Sequence, residues 1–320
     1  MKILAIQNRM GIGDTIMFLP FIEAVSKKYN TPVNLLVREN SKAEQYLEES
    51  SYINKIYTLE RNSLCNGRHD GVLGALNLVK DLKKIKLDKI FIFNSSLRYN
   101  LVARFAGIKE IYQYPLFKKD KQHITETAKR FIENSININK FNDPKIFVSE
   151  NKVNEVISKF KINKQETNII LGIGGSGPTK RIPAQTFINL IKNITSVKKC
   201  RFFLATGKNE GEQIILNQII NSDYGNFCTP LDNMTIKETL PVIKNCDVAV
   251  CNDTSYSHLS AALGINTITL MADTPLVYGS YSSKMHPIIP DGEINVTHNT
   301  LGKDKVNYEK ILKKLIKILN

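Results

Sequence analysis

Tryptophan is missing from the 320 residues, and no apolar run reaches the roughly 18 residues a membrane-crossing helix requires. Cysteine is scarce and odd in number: Cys65, Cys200, Cys228, Cys246 and Cys251, with no C-x-x-C pair. That spacing argues against a zinc site and against a disulfide framework. Three of the five sit in or beside apolar runs, as reduced buried thiols do. Acidic residues are outnumbered, 30 against 44 lysines and arginines, for a net charge of +14. Such a balance suits a polyanionic partner, whether nucleic acid, anionic lipid or a phosphorylated substrate. The basic residues are spread along the chain, however. The mixed basic and aromatic signature of RNA-binding modules is lacking, so nucleic acid is not expected. The opening MKILAIQNRMGIGD passes from a short apolar piece directly to polar residues and glycines. It has no small-residue cleavage site, and the expected location is the cytoplasm.

What is present is an alternation of strand-length apolar runs with helical patterns, the mark of a doubly wound α/β sheet. Residues 2–7, KILAIQ, form the first strand. A turn with Gly11 and Gly13 follows, then a helical pattern to Tyr29 that Pro20 is expected to bend or restart. Asp14 opens that helix. A carboxylate there is either a general base at the sheet edge or a helix cap, and spacing alone leaves both open. Strands are expected over 34–37, 53–59, 89–93 and 110–112, with helices over 76–85 and 97–106. Residues 61–74 read as a polar loop carrying Arg61, Arg68 and His69. The basic stretch 117–131, with Lys118, Lys119, Lys121 and His123, is either a solvated helix face or an arm towards an anionic acceptor. Polar joints over 134–145 and 163–167 put a linker between about 140 and 167. The expected division is 1–150 and 151–320.

The second half repeats the architecture. A strand over 168–173 runs into GGSGPTKRIP. Gly172, Gly174 and Gly177 satisfy G-x-G-x-x-G literally, yet the helix does not open at the third glycine. No acidic residue closes the strand over 202–205 to hold a ribose. Pro178 stands where a P-loop needs lysine. What remains is a loop of small and hydroxyl residues with Lys180 and Arg181, suited to a diphosphate or else an exposed basic loop. Residues 247–270, DVAVCNDTSYSHLSAALGINTITL, read as strand, polar loop, short helix, turn and strand. A polar cluster at the carboxyl end of a buried strand is where open α/β sheets bind ligands, although Asp253 or Thr254 can also simply cap the helix. Residues 278–286 read as irregular. Residues 304–319 form a basic amphipathic helix that docks on the protein or lies on an anionic membrane.

Taken in order, GIGDTIMFLPFIEAV, GGSGPTKRIP, ATGKNEGE, DNMTIKE and CNDTSYSHLSAALGINTITLMADTP resemble the heptosyltransferases, glycosyltransferase family 9. FNSSLRYNLVARFAGIK and the basic stretch after it resemble the acceptor side of these enzymes. The resemblance spans nearly the whole chain. It departs at Ser255, where the family usually has glycine, at Ile182, where tryptophan is common, and at Met271–Thr274, where the family usually reads Gly-Pro-Thr-Asp.

The resemblance implies a GT-B fold, two Rossmann-like domains facing a central cleft. The N-terminal one would take the acceptor and the C-terminal one a nucleotide-sugar, with helix 304–319 packing back on the N-terminal domain. It implies an inverting transfer without cofactor or metal, most simply of heptose from ADP-heptose to a lipopolysaccharide core acceptor at the inner face of the membrane. Asp14 would be the catalytic base. Ser176, Gly177, Thr179 and Lys180 would hold the donor diphosphate. Glu210, Met234, Asp253, Thr254, Ser255 and His258 would line the nucleotide and sugar. Arg61, Arg98, Lys118 and Lys119 would bind the acceptor. The rivals are a same-fold transferase for another sugar or a protein acceptor, a non-catalytic nucleotide-binding module, and a nicotinamide oxidoreductase.

Overall fold

The computed structural model describes residues 1–62, 64–116 and 124–320. The chain divides into two compact units, Met1–Pro144 and Lys145–Asn320. The expected acceptor lysines Lys118 and Lys119 lie outside the described residues.

In the first unit the strands are β1 (Ile3–Gln7), β2 (Val33–Arg38), β3 (Ile53–Leu59), β4 (Lys89–Ile92) and β5 (Glu110–Gln113). They form one parallel sheet in the order β3-β2-β1-β4-β5. The helices are α1 (Ile12–Tyr29), α2 (Gly71–Ile85), α3 (Leu97–Phe105) and α4 (Ile124–Ile136). β1 is buried along its whole length, so it reads as a continuous apolar run rather than an alternating one. α1 runs through Pro20 without the restart that was one of the two expectations there. A proline deletes one backbone donor, and here that loss is outweighed by a dozen buried residues on the same helix. α2 begins five residues earlier than its periodicity suggested, at Gly71, because its first turn is apolar but exposed.

The second unit opens with α5 (Glu150–Phe160) and continues with β6 (Thr167–Gly172), β7 (Cys200–Ala205), β8 (Cys228–Pro230), β9 (Val248–Asn252), β10 (Asn266–Leu270) and β11 (Met285–Ile288). Between them lie α6 (Ala184–Thr195), α7 (Glu210–Ile220), α8 (Ile236–Lys244) and α9 (Ser255–Ala262), with α10 (Tyr308–Leu319) last. Its parallel sheet has the order β11-β10-β9-β6-β7-β8. β11 begins at the end of the stretch 278–286 that was expected to be irregular. Pro287 and the preceding His286 mask a strand that exists because it pairs with β10 along one edge. α8 starts from a capping box between Thr235 and Glu238, worth about 1 kcal/mol.

α10 docks on the protein, one of the two readings its sequence left open. Its apolar stripe, with Ile311 and Leu315 fully buried, lies in the second unit's own core beside α6. Burying two such side chains contributes about 3–6 kcal/mol of transfer free energy, ample to hold a helix of 12 residues in place.

All five cysteines are free. Burial pushes the Cys200 thiol up to about 11 and those of Cys228 and Cys251 to about 12. Only Cys65 is exposed. A thiol-reactive chromophore should therefore titrate one thiol at once in the native protein and all five after denaturation. A second fast-reacting thiol would contradict this packing.

Candidate functional site

In a doubly wound sheet, the loops diverge where the strand order reverses, and ligands bind at the carboxyl ends of the strands there. In the first unit that point lies between β1 and β4, and in the second between β6 and β9. The two are described separately.

The second unit's switch point is built from the loop after β6 and the β9–α9 turn. Asn252, the last residue of β9, is fully buried and donates its amide N–H groups to the carbonyls of Ile173 and Gly174, both at 2.9 Å. One side chain thus ties the two loops together. From the other side Glu212, on the first turn of α7, accepts the Gly175 N–H at 2.7 Å. Its second oxygen accepts from the Asn209 amide, which also caps α7 through Glu212 N–H. A Cβ on Gly174 would run into this carboxylate, so glycine is required by close approach. Arg181 donates through Nε to the Gly175 carbonyl at 2.9 Å. The basic pair is therefore divided, with Arg181 shaping the loop and Lys180 turning the other way.

Lys180 Nζ lies 2.8 Å from Asp253 Oδ2. His258 Nε2 approaches the other carboxylate oxygen at 3.8 Å. His258 Nδ1 is 2.7 Å from the Tyr281 hydroxyl, and the two rings stack at 5.6 Å. Asp253 and His258 are both buried. Burial opposes the Asp253 charge, but His258 and Lys180 outweigh it and hold the carboxyl below its usual range. Burial keeps the His258 imidazole below its usual range, against the pull of Asp253. Thr254 caps α9 by accepting the Tyr256 N–H at 3.3 Å, and Ser255 is the first helical residue.

The remaining donor candidates are scattered around this core. Ser176 is exposed and Gly177 partly so, on the loop. Thr179 gives its hydroxyl to Asp273, which also accepts the Leu301 N–H at 2.9 Å. Glu210 opens α7 exposed to solvent, and the carboxylate that turns into the loop is Glu212 instead. Met234 is half-buried in the turn before α8. Ile182 is wholly buried in the core, and Met271, Ala272, Asp273 and Thr274 are all buried. A pocket of about 620 Å³ opens between the starts of α6 and α7, beside Arg181 and Lys303 but without Lys180 or Asp253.

In the first unit, Asp14 is the third residue of α1, behind a helix N-cap at Gly11 with φ of 110° that only glycine adopts readily. Gln7 ends β1 fully buried, with neither amide atom partnered among the described residues. Of the expected acceptor residues, Arg61 donates through Nε to Asp70 Oδ1 at 2.9 Å and approaches the Tyr99 hydroxyl at 3.4 Å. Arg61 in turn holds the Asp70 carboxyl below its ordinary range. Arg98 donates to the carbonyls of Gly71 and His69, both at 2.6 Å. Both guanidiniums hold the 61–71 loop in shape, a duty that sequence reasoning missed. Tyr281, Glu212 and Asn252 were missed as well. Only Asn252 left a signal, as a polar residue closing an apolar strand. Among the described residues, no three histidine, cysteine or acidic side chains gather as a metal site.

The sequence model of glycosyltransferase family 9 (heptosyltransferase) matches residues 78–314. Lipopolysaccharide heptosyltransferase 1 of Campylobacter coli is 22% identical, over 96% of this chain and 94% of its own length. The structure of the E. coli ADP-heptose LPS heptosyltransferase II superposes with a TM-score of 0.76 at 19% identity, covering 100% of this chain and 98% of that one. A family 9 glycosyl transferase from Veillonella parvula superposes with a TM-score of 0.81 at 16% identity, over 99% and 97% of the two chains. The fold is thus that of the GT-B heptosyltransferases.

Proposed function

Because the chain belongs to glycosyltransferase family 9, the heptosyltransferases, we propose that it moves heptose from ADP-heptose to a hydroxyl of a lipopolysaccharide core intermediate, with inversion and without a metal ion. The observation that carries this reading is the Lys180–Asp253–His258 constellation at the second switch point. A nucleoside diphosphate leaving group gains negative charge as its bond to the sugar breaks, and a fixed cation lowers that barrier. Lys180, oriented by Asp253, is such a cation. The Ser176 hydroxyl and the backbone around Gly177 would hold the diphosphate beside it, with Thr179 ordering the turn through Asp273. Thr254, Ser255 and His258 would face the sugar. Met234 and Glu210 would face the nucleoside.

Asp14 would take the proton of the acceptor hydroxyl as that oxygen attacks the anomeric carbon from the side opposite the diphosphate. The new C–O bond forms as the bond to the phosphate oxygen breaks, so the configuration inverts and ADP leaves. On this reading the first unit receives the acceptor, with Arg61, Arg98, Lys118 and Lys119 near its anionic groups, and the second unit receives the donor. The lipopolysaccharide heptosyltransferase among the relatives supports the acceptor class, and the ADP-heptose heptosyltransferase supports the donor.

Thermal denaturation in the presence of chelator tests the donor. At about 100 times Kd, ADP-heptose should add roughly 2.7 kcal/mol of stability, whereas NADH should add nothing. Stabilisation by NADH alone, or by a different nucleotide-sugar in place of ADP-heptose, would overturn the assignment.

A further inference from the structure

Fifteen large hydrophobic side chains are exposed among the described residues, and six of them sit on two neighbouring helices. Val72, Leu73 and Leu76 lie on the first turns of α2, with Val72 80% and Leu73 76% exposed. Leu97, Leu101 and Phe105 lie on α3 at a spacing of four, which makes one ridge along the helix. The opposite faces of both helices enter a single core: Leu78, Val79 and Leu82 of α2 with Tyr99, Val102 and Ala103 of α3, all against β1 and β4. The two outward faces therefore point the same way. Arg98 fastens the start of α3 to the start of α2 through the Gly71 and His69 carbonyls, so the two apolar sets are held side by side.

The charge around this surface is one-sided. Residues 71–109 carry eight lysines and arginines against two aspartates. Lys80, Lys83, Lys84, Lys86, Arg104 and Lys109 are exposed. One of the two acids, Asp81, is already held by Arg68 and His69. An apolar ridge rimmed by lysine is unlike a protein–protein interface, where lysine is depleted. A two-fold contact with a second copy would set these cations against themselves. The combination suits an interfacial surface, with apolar side chains entering the acyl boundary and cations meeting anionic headgroups.

We propose that the α2–α3 face docks the protein on an anionic bilayer. The sequence offered α10 for this role, but the apolar stripe of α10 is buried in the second unit. The assignment places the contact on the unit proposed to receive a glycolipid acceptor. It does not depend on the donor, because its test reads binding and not transfer.

The test is co-sedimentation of the full chain with phosphatidylglycerol-containing vesicles and with phosphatidylcholine vesicles. The expected result is binding to the anionic vesicles only, weakened by salt. The variant Leu73→Gln/Leu76→Gln/Leu101→Gln/Phe105→Ser should lower the partition by about tenfold or more. Its melting temperature should be unchanged, because all four side chains are exposed. Lys83→Glu/Lys84→Glu should lower the partition as well and reduce its salt dependence. Absence of binding by the unaltered protein would overturn the proposal. So would equal binding by the fourfold variant, or a native dimer that the same variant turns into a monomer.

Discussion

On the proposed assignment, Asp14→Asn should lower sugar transfer by about 10² to 10⁴-fold, the span a positioned general base contributes, while leaving donor binding and folding nearly untouched. The substitution keeps the size and the hydrogen-bonding oxygen of the side chain. It removes the charge and with it the capacity to take a proton. Asp14 sits in the first turn of α1, so loss of charge also weakens its interaction with the helix dipole, by about 0.3–1 kcal/mol. The two roles left open by the sequence make opposite predictions. If Asp14 only complemented the α1 dipole behind the Gly11 cap, the variant would lose that small stability and transfer at the ordinary rate. If it is the base, turnover collapses while the melting curve barely moves. Single-turnover transfer measured beside a thermal melt separates these results, and normal turnover would remove Asp14 from the chemistry.

The sequence disclosed the strands readily because parallel strands buried on both faces are unbroken apolar runs, as β1 and β9 are. It disclosed the two-unit plan because polar joints interrupt that rhythm. Where it went astray, local and tertiary signals disagreed. β11 carries a proline and has its partner on β10, so nothing within its own residues marks it. α2 starts with apolar residues that face outward, and a reading that assumes apolar means buried starts the helix too late. Pro20 offers a bend or a restart, and the burial of α1 carries the helix on without a restart.

The same logic governs the candidate site. Lys180 and Asp253 are 73 residues apart in sequence and 2.8 Å apart in space, brought together because β6 and β9 are neighbours. Each position was legible as polar and loop-borne, but their pairing was not. Glu212 and Tyr281 were invisible for a stronger reason. Their partners, the Gly175 N–H and the His258 ring, are set by the tertiary fold alone. The basic pair Lys180–Arg181 divides its labour for the same reason, since Arg181 faces the Gly175 carbonyl.

That pairing sets up the second large effect. Lys180→Met should weaken donor binding and also destabilise the fold, for separable reasons. Breaking a buried ion pair from one side strands the other charge. Because Lys180 keeps 24% of its side chain exposed while Asp253 keeps 6%, water screens part of the loss, and about 2–3 kcal/mol is expected. Donor binding should fall by about 10- to 150-fold from the loss of one charge-assisted contact to the diphosphate. Lys180→Met/Asp253→Asn removes the stranded charge. It should recover most of the stability and none of the donor affinity, since the cation is still missing. Acid titration gives an independent check. The Asp253 carboxyl is held below its usual range in the folded protein, so its contribution is present above the unfolded value of about 3.9. It is lost as pH falls through the lower folded value. The double variant should show a flatter loss of stability over that acid window than the unaltered protein. If the double variant regained donor binding along with stability, Lys180 would be a structural lysine, and the diphosphate would have to be held by other groups.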